Sequence, residues 1–295
     1  MSRVLALSGI LGPVVTPFAR GEELDLDGFR RNVRAHIADG LAGVVLAGST
    51  GEAALLTEEE RLALVSAARP EVPADRWLIV GTGGESTRQC VTRCRAAKAG
   101  GADAALVVAP HYYSNVMGEA ALRAHYTRVA DESPLPVILY NIPKYAHFGL
   151  SEALVGELAR HPNVIGIKDS SGAPESLAGY LRAQGEAFTV LTGSGSGLLA
   201  ALQAGARGGI VAVSLFAAAL ALEVLAGHRT GDAARAAAAQ ARLVPMANVI
   251  VAKLGVAGVK AALDQVGRVG GRPRLPLLPL TPAECAEMVA ALGAP

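Results

Sequence analysis

The fold is decided by the stretch Asn163-Val164-Ile165-Gly166-Ile167-Lys168-Asp169-Ser170-Ser171-Gly172. A short apolar run ends there in a lysine, and small polar residues and a glycine follow at once. This pattern is typical of a buried parallel strand that delivers its last side chain to the opening of a site. We therefore predict a strand over residues 164–167, with Lys168 at its carboxyl end.

Lys168 is unusual because lysine is rare in this chain. Of the 27 basic residues only five are lysines, which leaves 22 arginines. A desolvated amine can lose its proton and form a Schiff base, whereas a guanidinium stays charged. A lysine at this position therefore indicates chemistry that arginine cannot do. The simpler interpretation is an ion pair between Lys168 and Asp169, or another carboxylate, at the strand end.

Seven further apolar runs have the length and composition of buried strands. They cover residues 10–15, 43–47, 77–81, 104–109, 137–140, 188–191 and 209–213. Helical patterns lie between them, over residues 29–38, 87–99, 119–130, 151–160 and 198–204, and one begins at the capping box Thr57-Glu58-Glu59-Glu60. Repeated strand–helix units predict an α/β fold, and eight of them favour a closed (β/α)8 TIM barrel over the alternative, a doubly wound open sheet.

The composition changes after the eighth predicted strand, where only helical patterns follow. We predict a catalytic barrel over residues 1–222 and a helical extension over residues 223–295 that packs on it. No Gly/Ser-rich or charged linker separates the two. Lys253 and Lys260 lie in the extension and are expected to be surface or interface charges.

The composition also excludes several classes of function. The chain has 295 residues, 51% of them hydrophobic, and a formal net charge of +1, so neither nucleic acid nor a membrane surface is an expected partner. Cys90, Cys94 and Cys285 form no C-x-x-C pair, which argues against a disulfide framework or a zinc cluster. Residues 1–9 do not resemble a signal peptide, and charged residues interrupt the alanine-rich stretch 217–241, so a cytoplasmic location is expected.

Polar side chains at the ends of three predicted strands form a coherent catalytic set. The carboxyl ends of barrel strands face the active site. Ser49 and Thr50 follow the second strand, Tyr140 ends the fifth and Lys168 the sixth. The amine of Lys168 can attack a ketone to give an iminium that acts as an electron sink, and Tyr140 can move the protons. The backbone N–H groups of Ser49 and Thr50 can hold a carboxylate.

With these residues in place, the chain resembles the dihydrodipicolinate synthase / N-acetylneuraminate lyase superfamily over almost its whole length. Five motifs support the resemblance: Gly12-Pro13-Val14-Val15-Thr16-Pro17-Phe18, Gly48-Ser49-Thr50-Gly51-Glu52, Tyr140-Asn141-Ile142-Pro143, Gly166-Ile167-Lys168-Asp169 and Gly208-Gly209-Ile210-Val211. The resemblance implies a class I, Schiff-base lyase that acts on pyruvate or on a 2-oxo acid that yields it. It implies no metal and no cofactor.

The resemblance also implies roles for individual residues. Lys168 is the Schiff-base lysine, Tyr140 the acid/base tyrosine, and Ser49 the hydroxyl that relays protons to it. Thr50 joins Ser49 in binding the pyruvyl carboxylate, and the backbone at Gly193 and Val211 lines the substrate. Tyr113, with Tyr112 as the alternative, resembles a tyrosine that completes the relay in a neighbouring subunit. A homo-oligomer, either a dimer or a tetramer, is therefore expected.

Departures from the family pattern bear on the substrate. Tyr145 stands where dihydrodipicolinate synthases have an arginine that binds the carboxylate of the aldehyde, which argues against that activity. Sialic acid lyases have acidic side chains after the seventh strand that bind sugar hydroxyls. Residues 195–198 of this chain contain no acidic side chain, which argues against a long sugar substrate. Residues 110–113 are similar to those of 4-hydroxy-2-oxoglutarate aldolases, so we favour that keto acid or a related one. The alternatives are the synthase, a hydratase or dehydratase that uses the same iminium, and a non-catalytic 2-oxo acid sensor.

Overall fold

The computed structural model of the protein describes residues 6–293 and contains a closed barrel of eight parallel strands. The strands are β1 (Gly9–Pro13), β2 (Gly43–Leu46), β3 (Trp77–Gly81), β4 (Ala104–Val108), β5 (Val137–Asn141), β6 (Val164–Asp169), β7 (Thr189–Thr192) and β8 (Gly208–Ile210). Each strand pairs with the next along the chain, and β8 closes the barrel against β1. The predicted TIM barrel is confirmed, and the open sheet is wrong.

Every strand overlaps an apolar run that predicted it, and the differences are at the ends. β6 continues to Asp169, because Lys168 and Asp169 still pair with β5 and β7. Lys168 is therefore part of the strand and does not follow it. β8 ends at Ile210, because Ala212–Leu215 forms a short 3₁₀ turn.

Helices connect the strands and surround the barrel. They are α1 (Leu26–Ala38), α2 (Glu58–Ala68), α3 (Thr87–Ala99), α4 (Glu119–Glu132), α5 (Pro143–Ala146), α6 (Glu152–Leu158), α7 (Pro174–Leu181) and α8 (Leu198–Ala204). The capping box of α2 is confirmed, since the Glu60 amide donates to the Thr57 hydroxyl and the Thr57 amide to the Glu60 carboxylate. The sequence patterns did not predict α5 and α7, which have only four and eight residues.

The helices after β8 share a hydrophobic core with the barrel. They are α9 (Ala218–Thr230), α10 (Ala233–Pro245), α11 (Gly255–Gln265) and α12 (Pro282–Leu292), and a π-helical segment, Met246–Lys253, continues α10. Val211, Leu215, Leu243 and Val259 are all buried in this one core. The expected boundary between residues 222 and 223 lies inside α9, which contacts β1 and α8 as well as α10. The division into two domains stays a prediction.

Two further findings concern the described chain as a whole. In residues 6–293 we find no helix that is both long enough and apolar enough to cross a membrane. The same residues contain no group of three or more His, Cys, Asp or Glu side chains placed to hold a metal ion.

Candidate active site

A cavity of about 160 Å³ opens at the carboxyl ends of the barrel strands and joins five of the sequence-predicted residues. These are Ser49, Thr50, Tyr140, Lys168 and Gly193. Tyr145, which the sequence placed at the position of the synthases' arginine, also lines the cavity. The remaining lining residues had no site role in the sequence-based prediction, and they are Pro13, Ile142, Lys144, Ser170, Ile210, Ala212, Val251, Ala252, Gly255, Val256 and Val259. Several of them lie at or just after strand ends, and the others lie in the C-terminal helices, for which the strand-end pattern makes no prediction.

Lys168 and Tyr140 lie side by side because their strands pair in register. Tyr140 on β5 is the direct partner of Lys168 on β6. The Lys168 Nζ lies 4.2 Å from the centroid of the Tyr140 ring. Both side chains are nearly excluded from solvent, with 6% of Lys168 and 5% of Tyr140 exposed. The sheet itself therefore brings together an amine and a phenol in a largely dry site.

The electrostatic surroundings of Tyr140 favour loss of its proton. Burial raises the pKa of the phenol, but the positive charge of Lys168 and hydrogen bonding with Ser49, Lys168 and Ser170 outweigh burial. The net result is a pKa below the ordinary value of 10.0. A tyrosine with a lowered pKa exchanges protons more readily near neutral pH, which suits an acid/base role.

Gly193 provides the space that the Lys168 side chain needs. A Cβ at this position would overlap the Ser170 hydroxyl and lie 3.1 Å from the Lys168 Cε. The Gly193 amide also donates a hydrogen bond of 2.6 Å to the Asp169 carbonyl, which fixes the turn after β7. Any side chain here would displace Lys168 or Ser170, so the position requires glycine.

The ion pair considered between Lys168 and Asp169 is wrong. The Asp169 carboxylate accepts a hydrogen bond of 2.8 Å from Asn141 Nδ2 and two more from the Ser171 amide and hydroxyl. Successive residues of a strand point to opposite faces, so Asp169 is directed away from the cavity. Within the described part of the chain, Lys168 has no carboxylate at ion-pair distance. Its amine is buried without a compensating charge.

Two residues predicted for the site do not line the cavity. Tyr113 is 62% exposed and Tyr112 77%, and their rings meet edge to face at 5.0 Å. Val211 is fully buried in the core that the barrel shares with the C-terminal helices, while its neighbours Ile210 and Ala212 line the cavity. Any contact of Val211 with substrate would have to come from its backbone.

The loop that bears Ser49 and Thr50 is held by a buried ion pair from the C-terminal helices. Glu52, in the same loop, pairs through its Oε1 with the Nζ of Lys260 on α11, and both side chains are almost completely buried. Glu52 Oε2 accepts a hydrogen bond of 2.8 Å from the Arg274 amide. Lys260 also donates to the Arg272 carbonyl at 2.8 Å. The expectation that Lys260 is a surface or interface charge is therefore wrong.

Lys253, unlike Lys260, lies at the surface of the chain. Its side chain is 62% exposed and pairs with Glu287 at 2.5 Å. The surface position expected of Lys253 is confirmed.

Comparison with known proteins agrees with this geometry. The model of the dihydrodipicolinate synthetase family matches residues 6–294. The chain belongs to this family. Membership makes the protein an enzyme, a lyase of the Schiff-base aldolase type.

Three members of the family show the range of names among its relatives. A 4-hydroxy-tetrahydrodipicolinate synthase of Xanthomonas axonopodis pv. citri is 38% identical over 263 residues, which is 89% of this chain and 86% of the relative. A probable mitochondrial 4-hydroxy-2-oxoglutarate aldolase of Emericella nidulans is 34% identical, covering 90% of this chain and 87% of the relative. A prophage protein of E. coli K12, solved in complex with pyruvate, is 31% identical with a TM-score of 0.90 and covers 96% of both chains.

Proposed function

We propose that the protein catalyses aldol addition to pyruvate, or cleavage of a 2-oxo acid that yields pyruvate, through a Schiff base on Lys168. The observation that supports this most is the buried, uncompensated amine of Lys168 beside the Tyr140 phenol. A buried lysine without a carboxylate partner is costly, and such groups cluster at functional sites. The pyruvate complex of the E. coli K12 prophage protein supports the same substrate.

The proposed chemistry begins when the neutral Lys168 amine attacks the keto carbon of pyruvate. The resulting carbinolamine loses its hydroxyl as water, with a proton supplied by Tyr140, and leaves an iminium. Tyr140 then accepts a proton in the step that converts the iminium to an enamine. In the addition direction the enamine carbon attacks the aldehyde, whose oxygen takes the proton back from Tyr140 and becomes a hydroxyl. Water then hydrolyses the new iminium, which releases the product and regenerates the amine. Cleavage is the reverse of these steps.

The loop after β2 provides a place for the carboxylate of the 2-oxo acid. The backbone N–H groups of Ser49 and Thr50 have no acceptor among the described residues, and both residues line the cavity. Successive free N–H groups in a turn form a concave anion-binding site. We assign this loop to the carboxylate next to the keto group.

Two identities of the aldehyde partner are supported by different observations. The relative of Xanthomonas axonopodis favours formation of 4-hydroxy-tetrahydrodipicolinate, as its name states. Tyr145, which lines the cavity where such synthases have an arginine, favours the reaction named for the Emericella nidulans relative. Cleavage of 4-hydroxy-2-oxoglutarate between C3 and C4 gives pyruvate and glyoxylate. Product analysis with each substrate decides between them, and also detects dehydration by a hydratase.

Borohydride reduction in the presence of pyruvate tests the central step. We expect a stable mass increase on Lys168, located by peptide mass spectrometry, and no adduct in Lys168→Ala, which should also be inactive. An unmodified Lys168, or full activity in Lys168→Ala, would refute the proposal. An adduct without turnover of any 2-oxo acid would instead indicate the non-catalytic sensor.

We also propose that the enzyme is a homo-oligomer in which Tyr113 acts in the site of a neighbouring subunit. Tyr113 is exposed and does not line the cavity of its own chain. A residue that acts in the site of another subunit is expected to lie in this way. Tyr112 next to it and Val116 three residues further on are also exposed, by 77% and 61%, so large apolar side chains cluster around Tyr113 at the surface. An interface between subunits would bury these side chains.

Subunit mixing tests this arrangement. Tyr113→Phe should lower activity by about 100-fold, as loss of a proton relay does. In a mixed oligomer, a site can combine the intact Lys168 of a Tyr113→Phe subunit with the intact Tyr113 of a Lys168→Ala subunit. Exchange of subunits between the two variants should therefore restore part of the activity. Tyr140→Phe mixed with Lys168→Ala is the matched control and should stay inactive, since both residues belong to one chain. Lack of recovery in the first mixture would contradict action across subunits.

A further inference from the structure

The charged side chains that line the cavity are all positive. Among the described residues that line it, two bear an ammonium group, Lys168 and Lys144, and none bears a carboxylate. The other polar side chains of the lining are hydroxyls, which are neutral donors and acceptors. A substrate with a single negative charge would leave one ammonium group of this small cavity without a counter-charge. The lining is therefore complementary to a ligand with two anionic groups.

Lys144 is held in place over the cavity without being neutralised. Its Nζ donates a hydrogen bond of 2.9 Å to the carbonyl of Ala252, at the end of the π-helical segment. It also lies 5.7 Å from the centroid of the Tyr145 ring. An ammonium has three N–H donors, so two remain for a ligand. The bond to Ala252 restricts a long, flexible side chain, which lowers the entropy that ligand binding would otherwise cost.

The two lysines of the C-terminal helical region show the contrast. Lys260 pairs with Glu52, and Lys253 pairs with Glu287. In the part of the chain that the structure describes, Lys144 has no carboxylate at ion-pair distance. Lys144 is exposed where Lys168 is buried, but like Lys168 it offers the cavity an ammonium that no carboxylate of the described chain pairs with.

The rest of the wall limits what else the ligand can be. Ile142, Val251, Val256 and Val259 line the cavity with apolar surface and offer no partner for a row of hydroxyl groups. The volume of about 160 Å³ suits a small metabolite, since pockets for larger, drug-sized ligands start at about 300 Å³. The second charge therefore belongs on a short, otherwise apolar chain.

We propose that Lys144 binds a second carboxylate at the far end of the substrate, so that the enzyme acts on 2-oxo acids that are dicarboxylates. This inference rests on the proposed function, because it takes the keto carbon to be bound to Lys168. The carboxylate beside the keto group lies at Ser49 and Thr50, and the distal carboxylate at Lys144. Lys144 is then the residue that selects an aldehyde partner with its own carboxylate.

A pair of matched 2-oxo acids tests the proposal without knowledge of the natural aldehyde. 2-Oxoglutarate and 2-oxopentanoate have the same chain length and differ only in a distal carboxylate or methyl group. We would measure the concentration of each acid that gives half-maximal borohydride trapping on Lys168. The unmodified enzyme should favour 2-oxoglutarate by about 10-fold, the effect of one charge-assisted hydrogen bond. Lys144→Met should abolish this preference, and Lys144→Arg should keep it.

Controls separate this proposal from folding and from the proposed function. Lys253→Met removes an exposed lysine of the same region and should keep the preference. Pyruvate has no distal carboxylate, and a borohydride adduct of pyruvate in Lys144→Met shows that the variant is folded and still forms the Schiff base. If the unmodified enzyme does not favour 2-oxoglutarate, or Lys144→Met keeps its preference, the role of Lys144 is refuted. If pyruvate gives no adduct in the unmodified enzyme, the proposed function itself fails.

Discussion

The protein buries two lysines, and their surroundings differ in one decisive respect. Lys168 at the barrel opening and Lys260 on α11 are 6% and 1% exposed, and each ammonium lies over an aromatic ring. Lys260 faces Phe18 at 4.6 Å and forms an ion pair with Glu52. Lys168 faces Tyr140 at 4.2 Å and has no carboxylate partner in the described chain.

The difference shows how one residue type serves structure in one place and chemistry in another. The paired ammonium of Lys260 fixes the elements around it, while the amine of Lys168 has no carboxylate partner and faces the cavity, where it can react with a ligand. The rings differ in the same sense. Phe18 offers only its face, whereas the Tyr140 hydroxyl can exchange protons with the amine and its adducts.

The two lysines are also connected through one loop. Glu52, the partner of Lys260, belongs to the same turn as Ser49 and Thr50, which line the cavity with Lys168. The Thr16 hydroxyl donates to the Gly51 carbonyl at 2.7 Å and fixes the turn from the other side. The C-terminal helices therefore stabilise the loop that we assign to the substrate carboxylate.

The largest expected effect is on the free energy of unfolding, which should fall much more in Lys260→Met than in Lys168→Met. Lys260→Met should lower the free energy of unfolding by about 3–5 kcal/mol, because it leaves the Glu52 carboxylate buried and unpaired. Lys168→Met should change it by less than about 1 kcal/mol, because it removes a buried charge that had no partner. Chemical denaturation of both variants, at equal protein concentration, measures the difference.

The control for this contrast is the double variant Lys260→Met with Glu52→Gln. Removal of the orphaned carboxylate should recover part of the loss, with a coupling of about 0.5–3 kcal/mol between the two sites. Equal destabilisation by Lys168→Met and Lys260→Met would show that the charges of both lysines are compensated. Lys168 would then not be an unpaired amine.

The fold and the centre of the site could be predicted from sequence because both depend on local patterns. Buried parallel strands are short apolar runs, and their carboxyl ends meet at one face of a barrel, so Lys168, Tyr140, Ser49 and Thr50 could be placed together from chain position alone. Gly193, after β7, was placed in the site by the family resemblance, and it lines the cavity as well. No knowledge of side-chain orientation was needed for any of them.

The residues that sequence analysis missed depend on contacts between distant parts of the chain. Lys260 looked like an ordinary charge on a helix, because its partner Glu52 lies in a loop near the other end of the chain. Lys144 follows a strand in a short helix, and its position over the cavity depends on the Ala252 carbonyl of the π-helical segment. Asp169 was a plausible partner for Lys168 until the register of β5 and β6 placed it against Asn141.

A smaller expected effect of the Lys168 charge is on the pKa of Tyr140. The charge of Lys168 is one of the causes that hold the pKa of the Tyr140 phenol below its ordinary value. Lys168→Met removes that charge and leaves burial, which raises the pKa, so the pKa of Tyr140 should rise. Lys253→Met should not change the pKa of Tyr140, because Lys253 is exposed, pairs with Glu287 and lies outside the cavity lining.

Tyrosinate absorbance measures this shift. The chain has six tyrosines, and subtraction of the titration of Tyr140→Phe isolates the contribution of Tyr140. In the unmodified enzyme this tyrosine should ionise at lower pH than an ordinary tyrosine, so the fraction of phenolate at a given alkaline pH should fall in Lys168→Met. If the titration of Tyr140 is the same in both proteins, the amine of Lys168 is not charged beside the phenol. The lowered pKa of Tyr140 would then have to come from the hydroxyls of Ser49 and Ser170 alone.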